Sequence, residues 1–213
     1  MDRFVSSIFL WIALAVLALM GWVLSASIFM VEEGEHVLVF RGEETKQMIV
    51  TQSHEAFLEE IRLDPYLETI QFKSEAGIGF KLPFFERIVR YSAKPQILET
   101  SDTVLTTSDH QQVSLIAVID WQIEHPLTYH LAMGATDSTK GYLSYLIHTA
   151  LAPLANTLTR SELLDPLQVE SEAFQSLMED LNLQLKAQGI RLNAITLEEF
   201  DAKATLPIPA HRS

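Results

Sequence analysis

The stretch QVSLIAVIDWQI, from Gln112 to Ile123, alternates with a period of two along its whole length. Val113, Leu115, Ala117, Ile119, Trp121 and Ile123 fall on one face, and Ser114, Ile116, Val118, Asp120 and Gln122 on the other. The segment is apolar enough to read as a central strand, with Asp120 exposed on its more polar face. To its C-terminal side the period changes. From Asp137 onward Tyr142, Leu146, Ala150, Leu154 and Leu158 recur at the interval of a helix face, which Pro153 is expected to kink or interrupt. A second helix takes Asp165 as its cap and Pro166 in its first turn, carries Phe174, Leu177, Leu181 and Leu185 along one side, and ends at Gly189. Ile190 to Leu197 then alternates as a final strand.

To the N-terminal side, His36–Phe40, Arg87–Ser92, Gln96–Thr100 and Thr103–Thr107 read as strands, with a turn at Ser108-Asp109-His110. Met48–Val50 is a weak strand. A small helix from about Ser53 to Leu63 has only the narrow stripe Ala56, Phe57, Glu60 and Ile61; Asp64-Pro65 stops it, and Tyr66–Phe72 looks extended. Strands, then helices, then a closing strand make the class α+β, antiparallel strands packed with helices, rather than a doubly wound sheet.

From Phe4 to Val31 there is no charged residue, and roughly 20 apolar residues already span a bilayer core of about 30 Å. The expectation is a transmembrane helix with Trp11 and Trp22 as aromatic anchors. Arg3 precedes the run and Glu32, Glu33 and Glu35 follow it, which favours a cytoplasmic N-terminus with the remainder on the outer face. Ser25-Ala26-Ser27 would suit a signal peptidase, but the apolar run is longer than a signal core, so the anchor is expected to stay uncleaved. The chain divides into an N-terminal segment 1–31, a domain 32–200 with a membrane-proximal part 32–100 and a distal part 101–200, and a short tail 201–213.

The 213 residues carry a formal net charge of -13 and no cysteine. The charge opposes a phosphate backbone and no basic cluster counteracts it, so nucleic acid is not an expected partner. The absence of cysteine removes disulfides, thiolate metal sites and thiol nucleophiles together. His125, His130 and His148 have no metal-ligand spacing, and Ser108-Asp109-His110 has the residue types of a hydrolytic triad without the separate elements one needs. Glu198, Glu199 and Asp201 read as a solvated acidic rim. No catalytic residue, cofactor site or metal site is expected.

GIGFKLPFFERI, from Gly77 to Ile88, is the odd stretch. Its glycines and proline discourage regular structure, yet Ile78, Phe80, Leu82, Phe84 and Phe85 need a place away from water. The domain's own core is one place that would take them, with Phe84 the first choice.

The order of VEEGEHVLVFRG, GIGFKLPFFERIVRY, a TSD segment, VSLIAVIDWQIEHPLTYHLA, TRSELL and AQGIRLNAITLEEF behind one N-terminal span resembles the SPFH or band 7 superfamily of stomatins, prohibitins, flotillins and the bacterial HflK and HflC proteins, HflC most of all. The resemblance covers most of Val31 to Phe200. It implies a turn before a Lys-Xaa-Pro-Phe strand at Lys81–Phe84, near the membrane, which makes Ile78, Phe80, Leu82, Phe84 and Phe85 membrane-interface candidates. It also implies a non-enzymatic scaffold in a bacterial inner membrane, with its domain on the periplasmic side. Such a scaffold would be a homo-oligomer, or a hetero-oligomer with another SPFH protein. It would contact membrane lipids and organise a membrane patch or modulate an AAA protease of the FtsH type. The alternative is a monomeric or small-oligomer lipid-binding adaptor at the membrane surface.

The sequence departs from the family pattern at Phe40-Arg41-Gly42, where Arg-Phe-Gly is frequent, and at Gly77-Ile78-Gly79, where HflC-like chains read Pro-Gly-Leu-His. The stretch Glu43–Glu75 is longer than the pattern. Family members continue into a long coiled coil, which is not found before Ser213; lateral packing of domains and membrane helices is then expected to hold any oligomer together.

Overall fold

The computed structural model describes residues 2–51, 70–134, 136–165 and 171–199. The expected helix near Ser53–Leu63, the Tyr66 end of the extended segment, Pro166, Asp201 and the tail 201–213 lie outside the described residues. The chain forms two compact units, Met1–Ala93 and Lys94–Ser213.

In the first unit, α1 runs from Asp2 to Ser27. It stops short of the end of the uncharged run, and Ile28–Val31 becomes strand β1. Then follow β2 (Glu35–Arg41), β3 (Glu44–Val50), β4 (Gln71–Lys73), β5 (Gly77–Phe80) and β6 (Glu86–Ser92). A four-stranded sheet has the order β4-β3-β2-β6, antiparallel except for the parallel pair β3–β4. β2 is central, with Val37 to Phe40 all buried. β1 and β5 form a separate antiparallel ribbon.

The expected transmembrane helix is met in part. A helix forms where the uncharged run requires one, but among the described residues no helix is long and apolar enough to cross a membrane. Side chains of α1 are described from Trp11 onward, about 25 Å of helix at about 1.5 Å per residue against a hydrocarbon core of about 30 Å.

The second unit holds β7 (Gln96–Glu99), β8 (Thr103–Thr106), β9 (Gln112–Ile123), α2 (Pro126–Ala132), α3 (Thr136–Ala155), α4 (Arg160–Leu163), α5 (Glu172–Lys186) and β10 (Ile190–Glu199). β9 is central as its pattern predicts, pairing with β10 on one side and with β7 and β8 on the other, all antiparallel. Val113, Leu115, Ala117, Ile119, Trp121 and Ile123 are all buried. Asp120 is half-buried rather than exposed and accepts a hydrogen bond from Asn193 Nδ2 at 3.1 Å.

Three helix expectations are corrected. The buried stripe of α3 is Thr139, Leu143, Ile147, Leu151 and Ala155, whereas Tyr142, Leu146, Ala150 and Leu154 only flank it, half-buried. Two rows at the same interval compete, and the one holding the smaller Thr139 and Ala155 faces inward, where the Tyr129 hydroxyl meets Thr139 Oγ1 at 2.7 Å. Pro153 does not interrupt α3, which ends two residues later at Ala155. α5 starts at Glu172 under a Ser171 cap, whose hydroxyl accepts from the Phe174 N–H, not under Asp165.

Gly189 closes α5 as expected, at φ +70°. Its carbonyl accepts the N–H groups of Glu124 and His125 at 2.9 and 3.1 Å, tying the end of β9 to the start of β10. A Cβ there would stand 2.3 Å from the His125 carbonyl oxygen and 2.8 Å from the Tyr129 nitrogen. Gly189→Ala is therefore expected to destabilise the protein by more than about 2 kcal/mol. Gly141→Ala, in open space on α3, is expected to raise stability by about 0.5 to 1 kcal/mol. Thermal unfolding followed by circular dichroism distinguishes them by opposite shifts in Tm.

Candidate functional site

β5 contradicts the expectation that Gly77–Phe80 forms no regular structure. Its partner is β1, with Ile28 opposite Phe80, Phe29 opposite Gly79, Met30 opposite Ile78 and Val31 opposite Gly77. Alternation then sorts the side chains. Phe29 and Val31 turn inward and join Val37, Val39 and Ile49 in one buried cluster, with Ile88 packed against it. A Cβ at position 79 would lie 2.3 to 2.7 Å from three atoms of the Phe29 ring, so glycine is required beneath that ring. Ile28, Met30, Ile78 and Phe80 turn outward, and Met30 and Phe80 are 67% and 69% exposed.

This outer face runs directly from α1. The Lys81 N–H donates to the Ser27 carbonyl at 2.8 Å, which extends the ladder to the last residue of the helix. On α1 the exposed large apolar residues Trp11, Ile12, Leu14, Val16, Leu17, Leu19, Met20, Trp22 and Leu24 point in every direction around a helix of about 3.6 residues per turn.

Beyond β5 the chain makes a tight turn. Lys81–Phe84 is not the Lys-Xaa-Pro-Phe strand that the family resemblance implies: the strand precedes it, and Pro83 to Phe85 is turn. The Leu82 carbonyl accepts from Phe85 and Glu86 at 3.3 and 3.0 Å. The Glu86 carboxylate accepts the Leu82 N–H at 2.7 Å and holds the Arg41 guanidinium at 3.0 and 2.6 Å. Burial tends to raise the pKa of Glu86, yet the Leu82 N–H and the Arg41 charge together carry it below the usual carboxylate range.

Phe84 is not in the core; it is 78% exposed, and it sits at φ +70°. Its ring lies 5.7 Å, centroid to centroid, from Trp22 of α1, tilted by 48°. Leu82 and Phe85 are exposed as well. Sequence reading missed Ile28 and Met30, because the uncharged run hides the change from helix to strand at Ser27. Ser25-Ala26-Ser27 is the local signal, and the Ser27 hydroxyl does turn back onto the Val23 carbonyl at 2.7 Å.

Several polar residues of the second unit have structural partners. His125 Nδ1 accepts the Thr128 N–H at 3.1 Å as the cap of α2, which requires that nitrogen to be unprotonated. Asp109 accepts from the Thr107 hydroxyl, which pulls its pKa down despite partial desolvation, and the Thr107–Gln111 turn closes by backbone hydrogen bonds. Glu162 completes a capping box with Thr159, and Glu199 pairs with Arg160. Among the described residues, no three histidines or carboxylates gather in a way that would hold a metal ion.

The sequence model of the family described as SPFH domain / Band 7 family matches residues 29–206, most of the chain. No curated protein matches it.

Because its folded pKa is lowered, Glu86 stabilises the turn above the ordinary carboxylate pKa, and this contribution is lost as the pH falls through the folded pKa. Hydrogen exchange, expressed as a protection factor for the Leu82 amide, is expected to stay flat from neutral pH to about pH 5 and fall below about pH 4. In Glu86→Gln it should be reduced at neutral pH and insensitive to acid.

Proposed function

Because the chain belongs to the SPFH domain / Band 7 family, we propose that it is a membrane-anchored, non-enzymatic scaffold. The family generally associates with membranes, oligomerises and acts without catalysis. The observation that carries the reading for this chain is the continuity of exposed apolar surface from α1 through Ile28, Met30, Ile78 and Phe80 to the turn with Leu82, Phe84 and Phe85. Monomeric soluble domains seldom leave so extended an apolar surface bare.

In this reading α1 spans the bilayer. The uncharged sequence from Phe4 extends the described stretch to the required length, with Trp11 and Trp22 as aromatic anchors. The N-terminus is cytoplasmic and the domain 32–200 is on the outer face of a bacterial inner membrane. The β1–β5 ribbon and the turn after it rest in the interface. The domain division 1–31, 32–200 and 201–213 belongs to the same proposal. So does the action on a partner: lateral assembly, alone or with another SPFH protein, to organise a membrane patch or modulate an FtsH-like protease.

The mass of the full-length protein in mild detergent, by native mass spectrometry with and without a second SPFH protein, tests the scaffold. A large defined assembly is expected. A stable monomer in both conditions would overturn the scaffold in favour of a lipid-binding adaptor.

A further inference from the structure

Helices cover one face of the sheet in the second unit. Ile147 and Leu151 of α3 share a hollow with Leu105, Leu115 and Leu197, and Asn182 of α5 pairs with the backbone N–H and carbonyl of Leu192. The register puts a different set on the opposite face, because residues directly paired across antiparallel strands project to the same side. Ile97 lies beside Asp120, Glu99 beside Val118, Val104 beside Ser114, and Glu198 beside Ile116. Ile97 and Val104 are 72% and 59% exposed, and Ile116 and Val118 are half-buried. The water-facing side of an antiparallel sheet is ordinarily polar; here its middle is apolar and its margins are acidic. Glu99 flanks Val118 from β7, and Glu198 flanks Ile116 from β10.

Glu99, Asp120 and Glu198 have no ion-pair partner among the described residues, and the hydrogen bond of Asp120 is to the neutral Asn193. Arg191 is the only cation in β7–β10, and Glu124 holds it at 3.3 Å. Lys94, just before β7, already has a partner. We infer that this face receives a cationic amphipathic helix of another protein, with its apolar side chains on Ile97, Ile116 and Val118 and its Lys or Arg side chains at Glu99 and Glu198. A helix is the layer that covers an apolar sheet face in an α+β fold. The net charge of the chain, -13, attracts such a partner from a distance and repels a second copy, nucleic acid and anionic lipid from this face. The inference goes beyond the scaffold reading and stands without the interfacial position of the β1–β5 ribbon.

The test uses the full-length protein in phosphatidylcholine nanodiscs, with empty nanodiscs as the blank, and a synthetic helical peptide of leucine and lysine at amphipathic spacing. Because the chain has no cysteine, Thr196→Cys, beside Val118 on this face, carries an environment-sensitive fluorophore that reports occupancy. Saturable binding with a blue-shifted fluorophore is expected, weaker at high salt and absent for a peptide with glutamate in place of lysine. Glu99→Gln/Glu198→Gln is expected to weaken it on the order of tenfold, and Ile97→Ser/Val104→Ser by about as much. Glu179→Gln/Asp180→Asn on α5 removes the same charge elsewhere and should leave the affinity within about twofold. Absence of binding, an unchanged affinity in either face variant, an equal loss in the α5 variant, or bound peptide without a fluorophore response overturns the inference. None of these outcomes alters the mass measured in detergent, so the scaffold reading is judged separately.

Discussion

The contact of the Phe29 ring with the bare backbone of Gly79 decides which way two short strands present their side chains. With the ring pressed onto position 79, Phe29 and Val31 must face the buried cluster, and by alternation Ile28, Met30, Ile78 and Phe80 must face away. A slip of one residue would exchange the two sets, placing a side chain where Gly79 now admits the ring. A two-stranded ribbon of four residues per strand is marginal by itself. Its inner packing on Val37, Val39 and Ile49 holds it in place. Burying one large apolar side chain is worth about 1.5 to 3 kcal/mol, so a register that leaves four of them outward forgoes a substantial stabilisation unless a second apolar environment receives them.

The turn after β5 follows the same logic with polar groups. A phenylalanine at positive φ costs roughly 1 to 2 kcal/mol, and an aromatic contact such as Trp22–Phe84 returns about 0.5 to 1.5 kcal/mol. That contact alone does not account for the geometry. The hydrogen bonds do: Leu82 is held at both its N–H and its carbonyl, and Glu86 is anchored in turn by Arg41 of the central strand. The apolar tip is thus presented by a polar clamp on the sheet.

Elements with one dominant period were legible in the sequence, and those whose period was ambiguous were not. β9 was readable because every second residue is apolar over its full length, and Gly189 because a glycine after a helical run marks the left-handed cap. α3 was displaced by one position because Tyr142, Leu146, Ala150 and Leu154 share the interval of Leu143, Ile147, Leu151 and Ala155, and size alone does not choose between adjacent rows. The five apolar residues of the candidate face were legible as residues in need of shelter. Their geometry was not, since β1 lies inside an uncharged run that reads as continuous helix, and a glycine is a strand breaker by propensity until a ring from the neighbouring strand requires it. Phe84, a candidate for the interface and the first choice for the core, reads only as hydrophobic; a positive φ cannot be seen in a phenylalanine.

The polar chemistry of the described residues reinforces the reading of the apolar face. Several of the titratable side chains that the sequence brings to notice hold the fold together. The imidazole of His125 caps a helix, Asp109 fastens a turn, Glu162 closes a capping box, and Glu199 and Asp120 bind Arg160 and Asn193. The first unit divides in the same way: Arg41 and Glu86 support the turn, and Arg90 and Glu35 pair at the ribbon's edge. Polar groups that pair internally are already satisfied, whereas apolar surface left bare gains when something covers it. A bare apolar face of this extent is what the proposed membrane interface would cover.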